Sequence, residues 1–470
     1  MMRLLLALAP LLLVAASPPD PVAQALATAG PGTRIGLVVA DDTGREIVTI
    51  RPDDRFVPAS NTKMFTTAAA FALLDTQGPD ATGGATVRLE GQDVVLTGHG
   101  DARLSSAADC VTDCLIDLAR AVAAKTRTVH DVIGDDSAFP DERWPLGMSW
   151  NNMPSRSGTA VSALNIDDNV MTVTIAPATP GAAPTIAGDG YYRIVNRATT
   201  AGTIAALSVT RAPGDDTLRI TGTIPAGSSP ETLTAGLDDP THRAAWRLAA
   251  LLRTLGVRVT GTIATRHRPL SPSDDPAVRG TAPAPHAPAQ PVLARLTPPP
   301  LADDLRTTNK VSQNLHAELL LRRVGAVTGT GSVADGRAAV VRLLDTAAVP
   351  RWTYDFADGS GMSNYNRLTP RAAVRFLRWT QTQPWGASWR TTLPIGGTDG
   401  TLARRFRGTA LEGRIFAKTG TLNAASALSG FLTTARGRTL TFSALANDMP
   451  SDASATAAID RALLALAAAH

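Results

Sequence analysis

The apolar residues of this chain repeat at helical spacing near both ends of the sequence and alternate as in strands between them. RIGLVVADDTGREIVTIRP, residues 34–52, has two β-rich runs around the turn signal DDTG, which is typical of a hairpin. PASNTKMFTTAAAFALLD, residues 58–75, starts with polar Ser, Asn and Thr and continues with helical periodicity, which predicts a helix with its cap at the start.

The middle of the chain has a different character from about residue 80 to 265. Gly, Thr, Asp and short β-branched runs dominate there, and helical stretches are predicted only around 108–125 and 240–256. Helical periodicity returns after residue 309, followed by three strand-like runs and a terminal Ala-rich helix. This order predicts an α/β domain built from both chain ends, with a β-rich insertion and a Pro/Ala-rich extended connection over 274–291.

The first residues predict export. Arg3 precedes an apolar run from Leu4 to Ala15 and then small residues, the three-part pattern of a signal peptide, which we assign to residues 1–16. A membrane anchor is the alternative, but the run is shorter than the ~20 apolar residues that a bilayer span needs. No later apolar run is long enough either, so we expect an exported protein in the periplasm or cell-wall space, without a transmembrane span once the signal is removed.

Composition argues against a nucleic-acid partner. The net charge of +4 is small for 470 residues, no basic run is present, and aromatic residues make up only 4% of the chain.

Cys110 and Cys114 are the only cysteines, and in an exported protein a disulfide is the first expectation. If both lay in one regular helix, their geometry would disfavour a bridge, so the pairing stays open. No His or further Cys lies nearby, so no metal site is predicted.

Three short motifs could carry chemistry. In the first, Ser60-Asn61-Thr62-Lys63, one helical turn places Lys63 on the same face as Ser60. A neutral lysine amine can take the serine proton, whereas the guanidinium of arginine does not lose its proton in proteins. By itself the spacing is weak, because a Ser three residues before a Lys arises easily by chance.

The second motif is Ser312-Gln313-Asn314, which precedes an amphipathic run. Alone it is more readily a helix cap than a functional site. In the functional interpretation, Ser312 relays a proton to a leaving group and Asn314 positions the substrate and the lysine.

The third motif is Lys418-Thr419-Gly420-Thr421, inside a strand pattern. A glycine within a strand marks a close approach to the backbone, and a lysine with hydroxyls beside an open edge suits a substrate carboxylate. The alternative, an ordinary exposed lysine on an edge strand next to a β-bulge, explains this pattern equally well.

Together the motifs are far more specific than any of them alone. Only four of the 45 Lys and Arg residues are Lys, and three of these four, Lys63, Lys310 and Lys418, lie in or beside the motifs. The ordered set Ser-x-x-Lys, Ser-x-Asn, Lys-Thr-Gly resembles that of the penicillin-recognising serine enzymes. Ser312 follows Ser60 by 252 residues (312 − 60), far more than in a class A β-lactamase.

With segments such as VSALNIDDN, LPIGGTDGTL and AKTGTL, the sequence is identified as a member of the D-alanyl-D-alanine carboxypeptidase/endopeptidase family, the class C low-molecular-mass penicillin-binding proteins. The resemblance spans nearly the whole chain after the signal. DGSG, residues 358–361, is similar to the family's loop beside the active site, although a tight turn that needs glycine explains it equally well.

The resemblance implies a β-lactamase/transpeptidase-like domain, an antiparallel sheet flanked by helices, formed by residues 17–80 and 292–470. It further implies two β-rich inserted domains, one of residues 81–165 and 258–291 and the other of residues 166–257. It implies peptidoglycan peptides ending in D-Ala-D-Ala, or cross-linked through them, as substrates, β-lactams as covalent inhibitors, and no metal or other cofactor.

The resemblance also implies roles for the motif residues. Ser60 is expected to be the nucleophile, Lys63 its base, and Ser312 with Asn314 the path of the proton to the leaving D-Ala. Lys418, Thr419, Gly420 and Thr421 are expected to bind the substrate, and the backbone N–H groups of Ser60 and Thr421 to form the oxyanion hole.

Two rival functions stay open. One is a non-catalytic protein that binds the wall or penicillin, and the other is a β-lactamase or esterase on the same scaffold. The intact motif lysines argue against the first, and the long insertion argues against the second. The balance between carboxypeptidase and endopeptidase activity, the third residue of the stem peptide and the oligomeric state are not predicted.

Overall fold

The computed structural model describes residues 20–285 and 290–470, so the predicted signal peptide lies outside the described residues. Within these ranges, no helix is both long enough and apolar enough to cross a membrane. The α-helices are α1 (Pro21–Ala27), α2 (Lys63–Leu73), α3 (Leu115–Lys125), α4 (Pro240–Thr254), α5 (Pro276–Arg279), α6 (Leu301–Lys310), α7 (Asn314–Ala326), α8 (Val333–Thr346), α9 (Pro370–Thr380), α10 (Gly386–Thr391) and α11 (Thr456–Ala469).

The β-strands follow the predicted division between the chain ends and the middle. They are β1 (Arg34–Ala40), β2 (Glu46–Ile50), β3 (Thr86–Glu90), β4 (Asp93–Thr97), β5 (Thr128–Val129), β6 (Val132–Pro140), β7 (Val170–Ala176), β8 (Thr185–Ala187), β9 (Arg193–Thr200), β10 (Ala206–Thr210), β11 (Thr217–Ile224), β12 (Glu231–Gly236), β13 (Arg258–Val259), β14 (Ile263–Arg268), β15 (Ala294–Arg295), β16 (Tyr354–Asp355), β17 (Arg367–Leu368), β18 (Ile415–Leu422), β19 (Ala425–Thr433) and β20 (Thr439–Asn447).

One antiparallel sheet joins the two ends of the chain. Its strand order is β18-β19-β20-β1-β2, with β1 hydrogen-bonded to β20. Helices cover both faces, because Phe431 packs in a core with α2 and α9 while its neighbour Leu432 packs with α1 and α11. Eight of the nine residues of β19 and eight of the nine of β20 are buried, and small or hydroxyl residues stand between the apolar ones in both strands.

Two further cores lie between the first and second motifs. The first surrounds the sheet β14-β6-β4-β3-β15, against which α3 and α4 pack. The second joins two three-stranded sheets, β12-β7-β8 and β10-β11-β9. Because α4 packs in the first core, we propose two inserted units as predicted, but with residues 240–254 assigned to the unit of residues 81–165 and 258–291.

Two local predictions can be compared with the structure. Cys110 and Cys114 form a disulfide, and their Cα atoms are 5.7 Å apart. The bridge is compatible with α3 because the helix begins at Leu115, after Cys114 at its N-cap, and not near residue 108. Within 274–291, predicted to be extended, Pro276–Arg279 form the short helix α5, and residues 286–289 lie outside the described residues.

Candidate active site

Ser60 lies on a turn that is held from several sides. The 3-10 turn Ala59–Thr62 leads directly into α2, and Ala59 has a left-handed backbone with φ of 47°. The Nδ2 atom of Asn61 donates to the carbonyl of Lys418 at 2.8 Å, which ties the turn to β18. Unusual backbone conformations of this kind persist only where the surroundings fix them, and they cluster at functional sites.

Lys63 is fully buried and makes three polar contacts. Its Nζ lies 3.0 Å from Ser60 Oγ, 2.6 Å from Asn314 Oδ1 and 2.6 Å from the carbonyl of Ser360. Burial lowers the pKa of Lys63 from the usual 10.5 of lysine to about 7, while the negative charges of Asp358 and Glu318 act against this shift. A substantial share of Lys63 is therefore neutral near pH 7 and able to accept a proton from Ser60.

The second motif interrupts what the apolar pattern suggested was helical sequence. Helix α6 ends at Lys310, α7 begins at Asn314, and Ser312 between them has a left-handed backbone with φ of 63°. Asn314 is bonded on both sides, since its Oδ1 faces Lys63 and its Nδ2 donates to the carbonyl of Ser157 at 2.8 Å. The break brings both Ser312 and Asn314 to the same cleft as Ser60.

Lys418 joins the third motif to the second. Its buried Nζ donates to Ser312 Oγ and to the carbonyl of Thr419, each at 2.9 Å. Burial lowers the pKa of Lys418 well below its usual value, and the positive charge of Lys63 lowers it further. Ser312 thus stands next to one motif lysine, as Ser60 stands next to the other.

A loop covers the outer edge of β18 in its first half, before the third motif. There, the N–H of Ala417 donates to the carbonyl of Pro394 at 3.0 Å. Backbone groups alternate sides along a strand, so the N–H and carbonyl of Thr419 and Thr421 point to the same edge, beyond the covering loop. Thr421 is exposed there, beside the Ser60 turn.

Gly420 lets the strand and the turn lie against each other. A Cβ atom at this position would stand 2.7 Å from the carbonyl oxygen of Pro58 and 3.1 Å from the backbone nitrogen of Ser60. The glycine is therefore a requirement of close packing, as predicted for a glycine within a strand.

The residues that form this site lie within the part of the chain that matches a known family. The sequence matches the D-Ala-D-Ala carboxypeptidase 3 (S13) family over residues 21–470. The chain belongs to this family. It is 33% identical over 433 residues to the D-alanyl-D-alanine carboxypeptidase of Actinomadura sp. (strain R39), an alignment that covers 85% of this chain and 75% of that protein.

Solved structures agree with the S13 assignment at the level of the fold. The crystal structure of penicillin-binding protein 4 from Haemophilus influenzae matches with a TM-score of 0.78 at 22% identity, covering 94% of this chain and 97% of that one. The structure of the same protein in complex with a β-lactam matches with a TM-score of 0.70 at 21% identity, with the same coverage. The predicted family, the α/β fold class and the enzyme class, a serine-type carboxypeptidase, are confirmed.

Lys310, the lysine beside the second motif of this S13 chain, pairs with a loop residue and not with a motif serine. Lys310, two residues before Ser312, turns to Asp399 and contacts its carboxylate oxygens at 2.6 and 2.8 Å. It also donates to the carbonyl of Leu393 at 2.7 Å. This ion pair fixes the loop that contains Asp399 and Thr401. Because the hydroxyl of Thr401 lies 2.7 Å from that of Thr419, Lys310 stabilises the third motif indirectly, through this loop.

Sequence reasoning missed a pair of buried carboxylates behind Lys63. Glu318 accepts the N–H groups of Gly359 and Ser360 at 3.1 and 2.9 Å, and its other oxygen accepts from Arg322 at 3.1 Å. Asp358 accepts from the N–H groups of the same loop, and burial together with Glu318 raises its pKa to about 6.

These bonds explain the DGSG segment better than a tight turn alone. The loop places the Ser360 carbonyl against Lys63, and Gly361, with φ of 89°, passes so close to Ala59 that a Cβ would stand 2.0 Å from its carbonyl oxygen. The sequence signal was the DGSG motif itself; no local pattern marked Glu318, which is one of many polar residues in α7.

Proposed function

We propose that this S13 enzyme cleaves peptidoglycan stem peptides that end in D-Ala-D-Ala, or are cross-linked through them, by way of an acyl-enzyme on Ser60. The observation that carries the proposal is the 3.0 Å contact between Ser60 Oγ and a fully buried lysine whose pKa is about 7. The name of the Actinomadura relative supports the substrate class, and the β-lactam complex of the Haemophilus protein supports β-lactams as ligands.

The first step is acylation. Lys63 takes the proton of Ser60 Oγ as that oxygen attacks the carbonyl carbon of the penultimate D-Ala. The backbone N–H groups of Ser60 and Thr421 receive the negative charge that forms on the carbonyl oxygen, and each such donor is typically worth ~3 kcal/mol. The closeness of β18 to the Ser60 turn at Gly420 supports this pairing.

The second step releases the leaving group. As the C–N bond breaks, Ser312 Oγ gives its proton to the departing amine and receives in its place the proton that Lys63 took from Ser60, so Lys63 becomes neutral again. Asn314 accepts from Lys63 and Lys418 donates to Ser312, which keeps both groups in position. Lys418, Thr419 and Thr421 hold the terminal carboxylate of the substrate along the open edge of β18. Water then attacks the acyl group on Ser60 while Lys63 takes its proton, Lys63 passes that proton to Ser60 Oγ as the ester C–O bond breaks, and the shortened peptide leaves.

We also propose that the enzyme acts outside the cytoplasm, on the basis of the signal-peptide pattern of residues 1–16. Amino-terminal sequencing of the mature protein from cell fractions tests this: a start after residue 16 supports export, and an intact start in the cytoplasmic fraction refutes it.

Covalent labelling tests the nucleophile. Fluorescent penicillin is expected to label the purified protein, and S60A is expected to abolish the label. S388A, at an exposed serine of α10 far from the motifs in sequence, is the matched control and is expected to label like the wild type. Labelling that survives S60A would refute the assignment.

Digestion of purified cross-linked muropeptides separates the two activities of the family. Loss of D-Ala with cross-links intact means carboxypeptidase activity only, and monomers released from dimers mean endopeptidase activity. If neither product forms while penicillin still labels Ser60, the substrate proposal fails and the acylation chemistry stands.

A further inference from the structure

A turn of the insertion contacts the second motif. Asp167, Asp168 and Asn169 are three consecutive non-glycine residues with left-handed backbones, at φ of 51°, 56° and 52°. Such conformations cost about 1–3 kcal/mol each and persist where the surroundings fix them. A run of three is therefore a feature that needs a physical explanation.

Two of the three side chains are used inside the insertion. Asp167 accepts from the N–H and Oγ of Ser106 at 2.8 and 2.6 Å. The Oδ1 of Asn169 accepts from the N–H of Ile166 at 3.0 Å, and its Nδ2 donates to the carbonyl of Ala160 at 2.9 Å. These bonds explain how the turn is kept in its strained form.

The third side chain, that of Asp168, leaves the insertion and reaches α7. Its Oδ2 accepts from Gln313 Nε2 at 3.1 Å, and its Oδ1 lies 3.3 Å from His316 Nε2. Arg156 of the insertion donates to the same Oδ2 at 2.8 Å. Asp168 therefore contacts two residues at the start of α7: Gln313, immediately before Asn314, and His316, two positions after it.

The contact with His316 is between charged groups. Burial alone would lower the pKa of His316, but the neighbouring carboxylates of Asp168 and Asp304 raise it to about 9, so the ring is protonated at neutral pH. Its Nδ1 lies 3.5 Å from the Asp304 carboxylate of α6. His316 thus stands between a carboxylate of the insertion and a carboxylate of the helix before the motif.

Within the catalytic domain, Lys418 donates to Ser312 and Lys63 donates to Asn314, but the residues beside them are less firmly held. Gln313, at the N-cap of α7, makes no side-chain cap hydrogen bond, and Val311 is 60% exposed. The insertion adds a second hold through the carbonyl of Ser157, which accepts from Asn314 Nδ2.

We propose that Asp168 is a positioning residue of the second motif, which fixes Asn314 against Lys63 and Ser312 against Lys418 from the insertion. The roles of Ser312 and Asn314 in this inference rest on the proposed function. The positioning of the segment by Asp168 rests on the contacts with Gln313 and His316 alone. It gives the insertion a part in the chemistry, because the turn presents a carboxylate that contacts both Gln313 and His316.

Acylation kinetics test the proposal with D168A and D168N. Displacement of catalytic groups by about 1 Å can cost 10²-fold in rate, so D168A is expected to slow acylation by fluorescent penicillin about 10- to 100-fold. D168N keeps an acceptor oxygen and is expected to recover part of the rate. The control is D215N, which removes a carboxylate of the same insertion that bonds only locally, to Arg219 and Thr217.

Hydrogen exchange gives a readout that does not depend on activity. The amides of residues 311–317 are expected to exchange at least tenfold faster in D168A than in the wild type, and unchanged in D215N. An acylation rate within twofold of the wild type together with unchanged exchange would overturn the proposal, and so would equal losses in D168A and D215N. If the wild type is not acylated at all, the proposed function fails, and the exchange result alone decides whether Asp168 holds the segment.

Discussion

In the proposed mechanism, the rate of acylation depends on pH because only the neutral amine of Lys63 can accept the proton of Ser60. The drop from 10.5 to about 7 corresponds to about 5 kcal/mol of preference for the neutral amine, at 1.36 kcal/mol for each pH unit. At pH 7 about half of Lys63 is neutral, whereas an ordinary lysine would be neutral in about one molecule in 3000. Acylation is therefore expected to fall about tenfold for each pH unit below pH 6 and to level off above pH 8.

Stopped-flow measurement of fluorescent penicillin binding between pH 5 and 9 gives this profile. K63R, whose guanidinium stays charged throughout, is the control and is expected to lack the plateau altogether. A midpoint above pH 9, or a rate that does not depend on pH, would refute the assignment of Lys63 as the base.

The same pKa predicts how stability changes with pH. The unfolded chain binds a proton on Lys63 up to about pH 10.5 and the folded protein only up to about pH 7, so between these values folding becomes more favourable as pH rises. Below pH 7 the buried charge costs the folded state up to about 5 kcal/mol. In K63M that dependence disappears, so its free energy of unfolding, measured in urea, is expected to fall relative to the wild type as pH rises from 7 to 10. A constant difference would contradict the buried charge.

Three further changes test the surroundings of the motifs. E318Q removes one of the anions that counteract the burial of Lys63, so the midpoint of the acylation profile is expected to move below pH 7; an unchanged or higher midpoint would contradict this electrostatic account. G420A puts a Cβ 2.7 Å from a backbone carbonyl, so the turn and β18 must separate and acylation is expected to fall at least about tenfold; a rate like that of the wild type would show that the contact can relax. K310M removes the hydrogen bonds to Asp399 and is expected to cost about 2 kcal/mol of unfolding free energy in urea, of which D399N added to it should restore part; a loss in the double variant equal to the sum of the losses in K310M and D399N would show that the pair is not coupled.

The parts of the site that sequence could predict are the local ones. Ser60 and Lys63 are three residues apart at the start of a helix, so their contact follows from helical geometry. The order of the three motifs and the strand pattern around Lys418 placed the remaining catalytic candidates on recognisable elements. The central sheet could also be predicted, because its strands coincide with the predicted hairpin of residues 34–52 and the three strand-like runs near the end of the chain.

The rest depends on contacts between distant parts of the chain. The Ser360 carbonyl meets Lys63 across 297 residues of sequence, and Asp168 meets His316 across 148. No periodicity encodes such pairs, since a buried carboxylate and an exposed one have the same letter. The break at Ser312 was also hidden, because neither glycine nor proline marks its left-handed backbone.

The two buried lysines impose an order on their protonation. Both amines are buried, and the charge of Lys63 lowers the pKa of Lys418, so the site disfavours two ammonium groups at once. A substrate carboxylate laid beside Lys418 adds a negative charge that favours its protonation. Because the repulsion between two charges is mutual, the ammonium of Lys418 lowers the pKa of Lys63. This favours the neutral amine that must accept the proton of Ser60. In the proposed mechanism, binding of the carboxylate at the third motif and activation of Ser60 at the first are thus coupled through these charges, and arginine at either position would remove the coupling because it cannot give up its proton.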